Sequence, residues 1–89
     1  MMNKYKIISP MGNELSFIDY NEVTNIIEKK ISDNCIYETE DNESAFQEWK
    51  INGDYFDIYY LSKSIDILIE DNMKNDFESK TKLRLEEIN

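Results

Sequence analysis

The residue types that do chemistry are scarce in this chain, and those present are nearly all carboxylates. Histidine is absent. That removes the commonest general base, the usual activator of a nucleophilic Ser or Cys, and the commonest metal ligand. Cys35, the single cysteine, follows a predicted helix end, where no helix dipole lowers a thiol pKa, and the charges of Asp33 and Glu38 would raise it. Its expected place is a half-buried strand position. There is no Cys-x-x-Cys pair and no Gly-rich phosphate loop. What remains are neighbouring acids: Glu38/Glu40, Glu48/Asp57 and Glu70/Asp71. A glycosidase pair needs a cleft that holds a sugar at two carboxylates, which a chain of 89 residues rarely encloses. A calcium loop needs a central glycine and a longer alternation of acids than Asp41-Asn42-Glu43 supplies. The expectation is a protein without catalytic residues, cofactor or metal.

Any role for these acids depends on the elements that carry them. Residues 4–9 read as a strand, Pro10-Met11-Gly12-Asn13 as a turn, and residues 14–18 as a return strand. Asp19 followed by Glu22 has the spacing of a helix-capping box, and Val23, Ile26, Ile27 and Ile31 then line one face of a helix over 20–32. Asn34 can close that helix in the left-handed conformation. A strand over 35–40 and a polar loop over 41–44 follow. Residues 65–69 fit either period, with β-branched Ile65, Ile67 and Ile69 favouring a strand. Residues 71–76 read as a loop or turn. The tail over 78–88 fits a strand through Leu83 and Leu85 or a helix through Phe77, Thr81, Leu85 and Ile88, and the helix is preferred. The predicted fold class is α+β in one domain. Four to six antiparallel strands would pack against one helix, with a second, C-terminal helix as an option.

Asn52-Gly53 is the strongest hairpin signal, because a two-residue type I′ turn needs positive φ at both positions. Residues 45–51 and 54–61 become its arms, closing with Ile51 opposite Asp54. One face then pairs Trp49 with Phe56, Gln47 with Ile58 and Ala45 with Tyr60. The other pairs Lys50 with Tyr55, Glu48 with Asp57 and Phe46 with Tyr59. Like charges set directly opposite cost a few tenths to about 1 kcal/mol. Two carboxylates exclude an ordinary core there. Aromatic rings beside acids can form a socket for a partner's Arg or Lys through ion pairing and cation–π contact. The alternative is that a helix edge covers Phe46, Tyr55 and Tyr59 while the acids reach solvent at the rim.

The chain carries ten basic against nineteen acidic residues, a net charge of −9. Residues 31–61 hold eight of the acids against Lys50 alone, so the excess coincides with the aromatic hairpin. Such a charge opposes direct contact with nucleic acid or an anionic membrane and attracts basic partners. The N-terminal apolar run is only Ile7-Ile8, and no stretch approaches the roughly 18 apolar residues of a membrane span. With one cysteine, the expected setting is the cytoplasm. In size and acidity alone the chain resembles phage-encoded anti-defence proteins of the anti-CRISPR and anti-restriction type. That resemblance implies an inhibitor that occupies a basic groove by mimicking nucleic acid. An immunity or antitoxin protein against a basic toxin, or an adaptor subunit without activity, fits the same profile. On the inhibitor reading, Phe46, Glu48, Tyr55, Asp57 and Tyr59 contact the partner, while Glu38, Glu40, Asp41 and Glu43 steer its approach.

Overall fold

The computed structural model describes residues 1–88. Six strands, β1 (Met2–Ile8), β2 (Cys35–Glu40), β3 (Ala45–Ile51), β4 (Asp54–Tyr60), β5 (Ile65–Glu70) and β6 (Arg84–Glu87), alternate with α1 (Tyr20–Lys30) and α2 (Lys74–Thr81). The strands form one sheet in the order β2-β3-β4-β5-β1-β6, with every neighbouring pair antiparallel. This is the α+β class expected. Both helices pack on the same face of the sheet, where Val23 and Ile27 from α1 and Phe77 from α2 join Ile7, Trp49, Phe56, Ile58 and Ile67 in the core. Trp49, Phe56 and Tyr60 are almost wholly buried, and each such side chain contributes roughly 1.5–3 kcal/mol through area removed from water.

The hairpin forms in the predicted register. Asn52 and Gly53 adopt φ of 51° and 84°, and the pairing runs from Ile51 opposite Asp54 to Ala45 opposite Tyr60. The apolar stripe of α1 also meets the core as expected, with Val23 and Ile27 buried and Ile26 and Ile31 packed against them.

Several local expectations are overturned, each for a reason of partnership. Residues 14–18 do not return as a strand. β1 has β5 on one side and β6 on the other, so only the isolated bridge between Ile8 and Glu14 survives. The segment turns instead into a 3₁₀ turn, Phe17–Asp19, that runs straight into α1. Asp19 therefore makes no side-chain cap on α1; its carboxylate accepts the backbone N–H of Ser16 at 3.0 Å. Asn34 is not among the residues with positive φ. The chain leaves α1 through Ser32, whose hydroxyl donates to the Lys50 carbonyl at 2.8 Å and accepts the Asn34 N–H at 3.0 Å. Cys35 is exposed rather than half-buried, since β2 is an edge strand that neither helix covers.

In the last third of the chain, residues 65–70 are a strand, as the β-branched residues favoured. The helix comes earlier than preferred and stops at Thr81, because Lys82 takes the left-handed conformation at φ 65°. The Thr81 hydroxyl donates to the Phe77 carbonyl at 2.7 Å and accepts the Leu83 N–H at 3.1 Å, which ties the exit. Residues 84–87 then become β6, placing Leu85 opposite Ile7.

Candidate functional site

Alternation along the strands sends Trp49, Phe56, Ile58 and Ile67 toward the helices, so their neighbours in sequence form the outer face of the sheet. Two transverse rows of side chains cross that face. The first runs Tyr37, Glu48, Asp57, Leu68 and Lys4; the second runs Thr39, Phe46, Tyr59, Asp66, Lys6 and Glu86. Lys50 and Tyr55 lie beside them at the turn end of the hairpin. With both helices on the opposite side, the helix-edge cover considered from sequence is not what is found.

The aromatic rings make a continuous strip. Tyr37 and Phe46 have ring centroids 6.1 Å apart, and Phe46 and Tyr59 5.0 Å. Tyr37 is 55% exposed and Tyr55 47%, far above the exposure of core rings. Two of the protein's own cations already use this surface. Lys4 Nζ sits 5.4 Å from the centre of the Tyr59 ring, and Lys50 Nζ 5.2 Å from that of Tyr55. Tyr59 and Tyr55 thus already engage positive charge from the chain itself, which these rings favour.

Glu48 and Asp57 are directly opposite one another, as their register requires. Neither forms an ion pair among the described residues, and Asp57 Oδ1 is buried without a hydrogen-bond partner among them. Burial first, then the Glu48 charge and a hydrogen bond shared with Glu48, push the Asp57 carboxyl above the usual carboxylate range. Burial and then the charges of Asp57 and Glu48 push the Tyr59 phenol up in the same way. The pair is an anionic spot, with Lys4 and Lys50 on the same face but engaged with the Tyr59 and Tyr55 rings.

No family model, curated protein or solved structure matches this chain. Its site is read from its own geometry.

The predicted residues do not all gather in one place. Phe46, Glu48, Tyr55, Asp57 and Tyr59 share the outer face. Glu38 pairs with Gln47 across β2 and β3 and so belongs to the inner face. There its carboxylate accepts the Tyr20 hydroxyl and the Gln47 amide, the latter at 2.7 Å, while the residue stays exposed at the sheet edge. Glu40 lies two residues on along the same edge, exposed. Asp41 and Glu43 sit in the β2–β3 loop, where Glu43 lines a shallow cleft of about 280 Å³ with Phe17, Ile18, Asn42 and Ser62. The Cys35 thiol is pushed up, first by partial desolvation and then by the Glu38 charge, which makes it a poorer nucleophile.

Gln47 is the residue that sequence reasoning passed over. It is wholly buried and closes a ring of hydrogen bonds. Its amide N–H donates to Thr24 Oγ1 at 2.9 Å, and the Tyr60 hydroxyl donates to its Oε1 at 2.7 Å. Thr24 and Tyr60 join at 3.2 Å, and Trp49 Nε1 adds a second donor to Gln47 Oε1 at 3.1 Å. The signal was a polar residue in the middle of an apolar row. Tyr37 was also missed, since its face follows from the irregularity between Cys35 and Tyr37 that shifts the β2 register.

Proposed function

We propose that this protein is a non-catalytic inhibitor that docks the outer face of its sheet on a basic, nucleic-acid-binding surface of a partner enzyme. The observation that carries this reading is the opposed pair Glu48 and Asp57, neither in an ion pair among the described residues, set beside exposed aromatic rings. A partner's Arg or Lys entering there relieves the repulsion, satisfies the orphaned carboxylate oxygen and stacks on Tyr55, Tyr59 or Tyr37. The net charge of −9 steers a basic surface toward the protein, with exposed Glu40, Asp41 and Glu43 contributing to the approach. A groove built for phosphates accepts such a carboxylate array for the same electrostatic reason. The free cysteine is consistent with work in the reducing cytoplasm. Among the described residues no helix is long and apolar enough to cross a membrane.

The test is affinity capture with wild-type protein and with the double variant Glu48→Lys, Asp57→Lys. The expected result is retention of a nucleic-acid-handling enzyme at low salt, its release by added double-stranded DNA, its absence from the variant, and inhibition of its activity by the wild type alone. A partner that DNA fails to displace, or that the double variant holds as well, refutes the proposal.

A further inference from the structure

β2 (Cys35–Glu40) is the outermost strand on its side of the sheet, with β3 as its one partner. All six of its residues are exposed. The Asp41 N–H donates to the Ser44 carbonyl at 2.8 Å, and this bond fixes the phase of the ladder, because bonded and non-bonded pairs alternate between antiparallel strands. Thr39 opposite Phe46 is therefore a bonded pair, while Glu38 opposite Gln47 and Glu40 opposite Ala45 are non-bonded ones. The backbone N–H and C=O groups of Glu38 and Glu40 thus point away from β3, to a side where the described residues supply no strand.

Sheet edges are commonly closed to pairing by lysines, proline, short length or bulges. Here the irregularity lies at the start of β2, between Cys35 and Tyr37, and residues 37–40 stay in regular register. Residues 35–44 carry Glu38, Glu40, Asp41 and Glu43 and no Lys or Arg. Those acids oppose a second copy of this chain. Pairing two β2 strands about Glu38 would set that residue opposite itself, between molecules of charge −9, and like charges directly opposite destabilise a sheet. They do not oppose a strand of the other sign. Glu38 is moreover held in position with one oxygen to spare: its bonds from Tyr20 and Gln47 both fall on Oε2, and Oε1 accepts none among the described residues.

We propose that β2 accepts an extended basic segment as a further strand of the sheet, with Arg or Lys at alternate positions. The segment's backbone lies about 4.8 Å from β2 and exchanges N–H and C=O bonds with Glu38 and Glu40. Residues directly opposite one another share a face, so cations two positions apart in the segment meet the Glu38 and Glu40 carboxylates. This edge is a second surface, apart from the Glu48 and Asp57 pair, and its chemistry does not depend on docking there.

The experiment is a titration of the full chain with a capped hexapeptide alternating Arg with Val and Thr, followed by amide chemical shifts and hydrogen exchange. Two matched peptides separate pairing from charge: one is N-methylated on its Arg residues, which keeps the charge and removes the strand bonds, and one carries Glu in place of Arg. The expected result is saturable shifts over residues 36–40, slowed exchange of the Glu38 and Glu40 amides, and no binding of the Glu peptide. N-methylation weakens binding roughly tenfold through the lost backbone bonds. Glu40→Pro, which removes an outward N–H and spares the β3 ladder, also weakens it, whereas Glu48→Gln with Asp57→Asn leaves it unchanged. Absence of saturable shifts, equal binding of the N-methylated peptide, full binding by Glu40→Pro, or shifts centred on Glu48 and Asp57 overturns the proposal. So does a dimer in sedimentation that protects the Glu38 and Glu40 amides, because a second copy would then occupy the edge. A captured partner that ignores Glu48 and Asp57 would sink the docking reading and leave these titrations as they are.

Discussion

Replacing Asp57 by asparagine removes one member of the opposed acid pair while keeping its shape. In the folded protein Asp57 faces Glu48 directly, with one oxygen buried and without a partner among the described residues. Like charges so placed cost about 0.2–1 kcal/mol, and the new amide can donate to the Glu48 carboxylate. The gain at pH 7 and low salt is therefore placed near the upper end, about 0.5–1 kcal/mol. For a chain of this size that corresponds to a rise of roughly 2–8 °C in Tm.

The pH dependence has a definite sign. Because the Asp57 pKa is raised in the fold by burial and by Glu48, the folded state holds the proton more tightly than the unfolded chain does. The charged pair is thus destabilising above the raised pKa, and the penalty fades as pH falls through it toward the ordinary carboxylate value of about 3.9. The advantage of Asp57→Asn should shrink on acidification to pH 4 and below, and in high salt. Glu48→Gln should behave alike, and the double variant should gain little beyond either single one, since both relieve the same repulsion. Thermal unfolding followed by circular dichroism from pH 3 to 8 measures this. A Tm lowered by Asp57→Asn, or raised equally at pH 4 and pH 7, refutes the reasoning. The same variant is expected to bind the partner more weakly, the usual opposition between stability and function at a binding site.

Gln47→Leu leaves Trp49 Nε1 without its acceptor in the core, while the Tyr60 hydroxyl loses one bond and keeps Thr24. At about 1–3 kcal/mol for one orphaned donor the loss is at least about 1 kcal/mol, so a Tm within 2 °C or so of wild type would contradict the closed ring of bonds. Burial holds the Tyr60 phenol above its ordinary range, and burial with the Glu38 hydrogen bond does so for Tyr20. An unfolded tyrosine ionises near pH 10 while these stay protonated, so stability is whole below about pH 10 and declines above it, by up to about 1.4 kcal/mol per pH unit for Tyr60. Ultraviolet titration should show both ionising only as circular dichroism is lost. Lys82→Gly relieves a left-handed backbone at φ 65° and should raise stability by about 0.5–1 kcal/mol in denaturant unfolding; a fall would show that the Lys82 side chain contributes more than its backbone costs.

What the sequence determined by itself was local. Asn52-Gly53 selects a two-residue turn because few other residues accept positive φ twice in succession, and that turn sets every pair from Ile51 and Asp54 to Ala45 and Tyr60. The opposed acids and the aromatic face of the hairpin were legible for that reason. The stripe of α1 was legible because its period exceeds any single residue's preference. Tertiary structure decided the rest. Residues 14–18 and 84–87 both had the makings of a strand, and the flanks of β1 went to β5 and to the later segment. Glu38 read as a free surface charge until β2 set it opposite Gln47, within reach of Tyr20. Asp66 gave no signal in the chain, since its burial beside Lys6 and Glu86 arises only when β5, β1 and β6 are laid side by side. Strand partners distant in sequence compete for the same backbone groups, and the winner is chosen by the packing of the whole sheet rather than by the residues of any one segment.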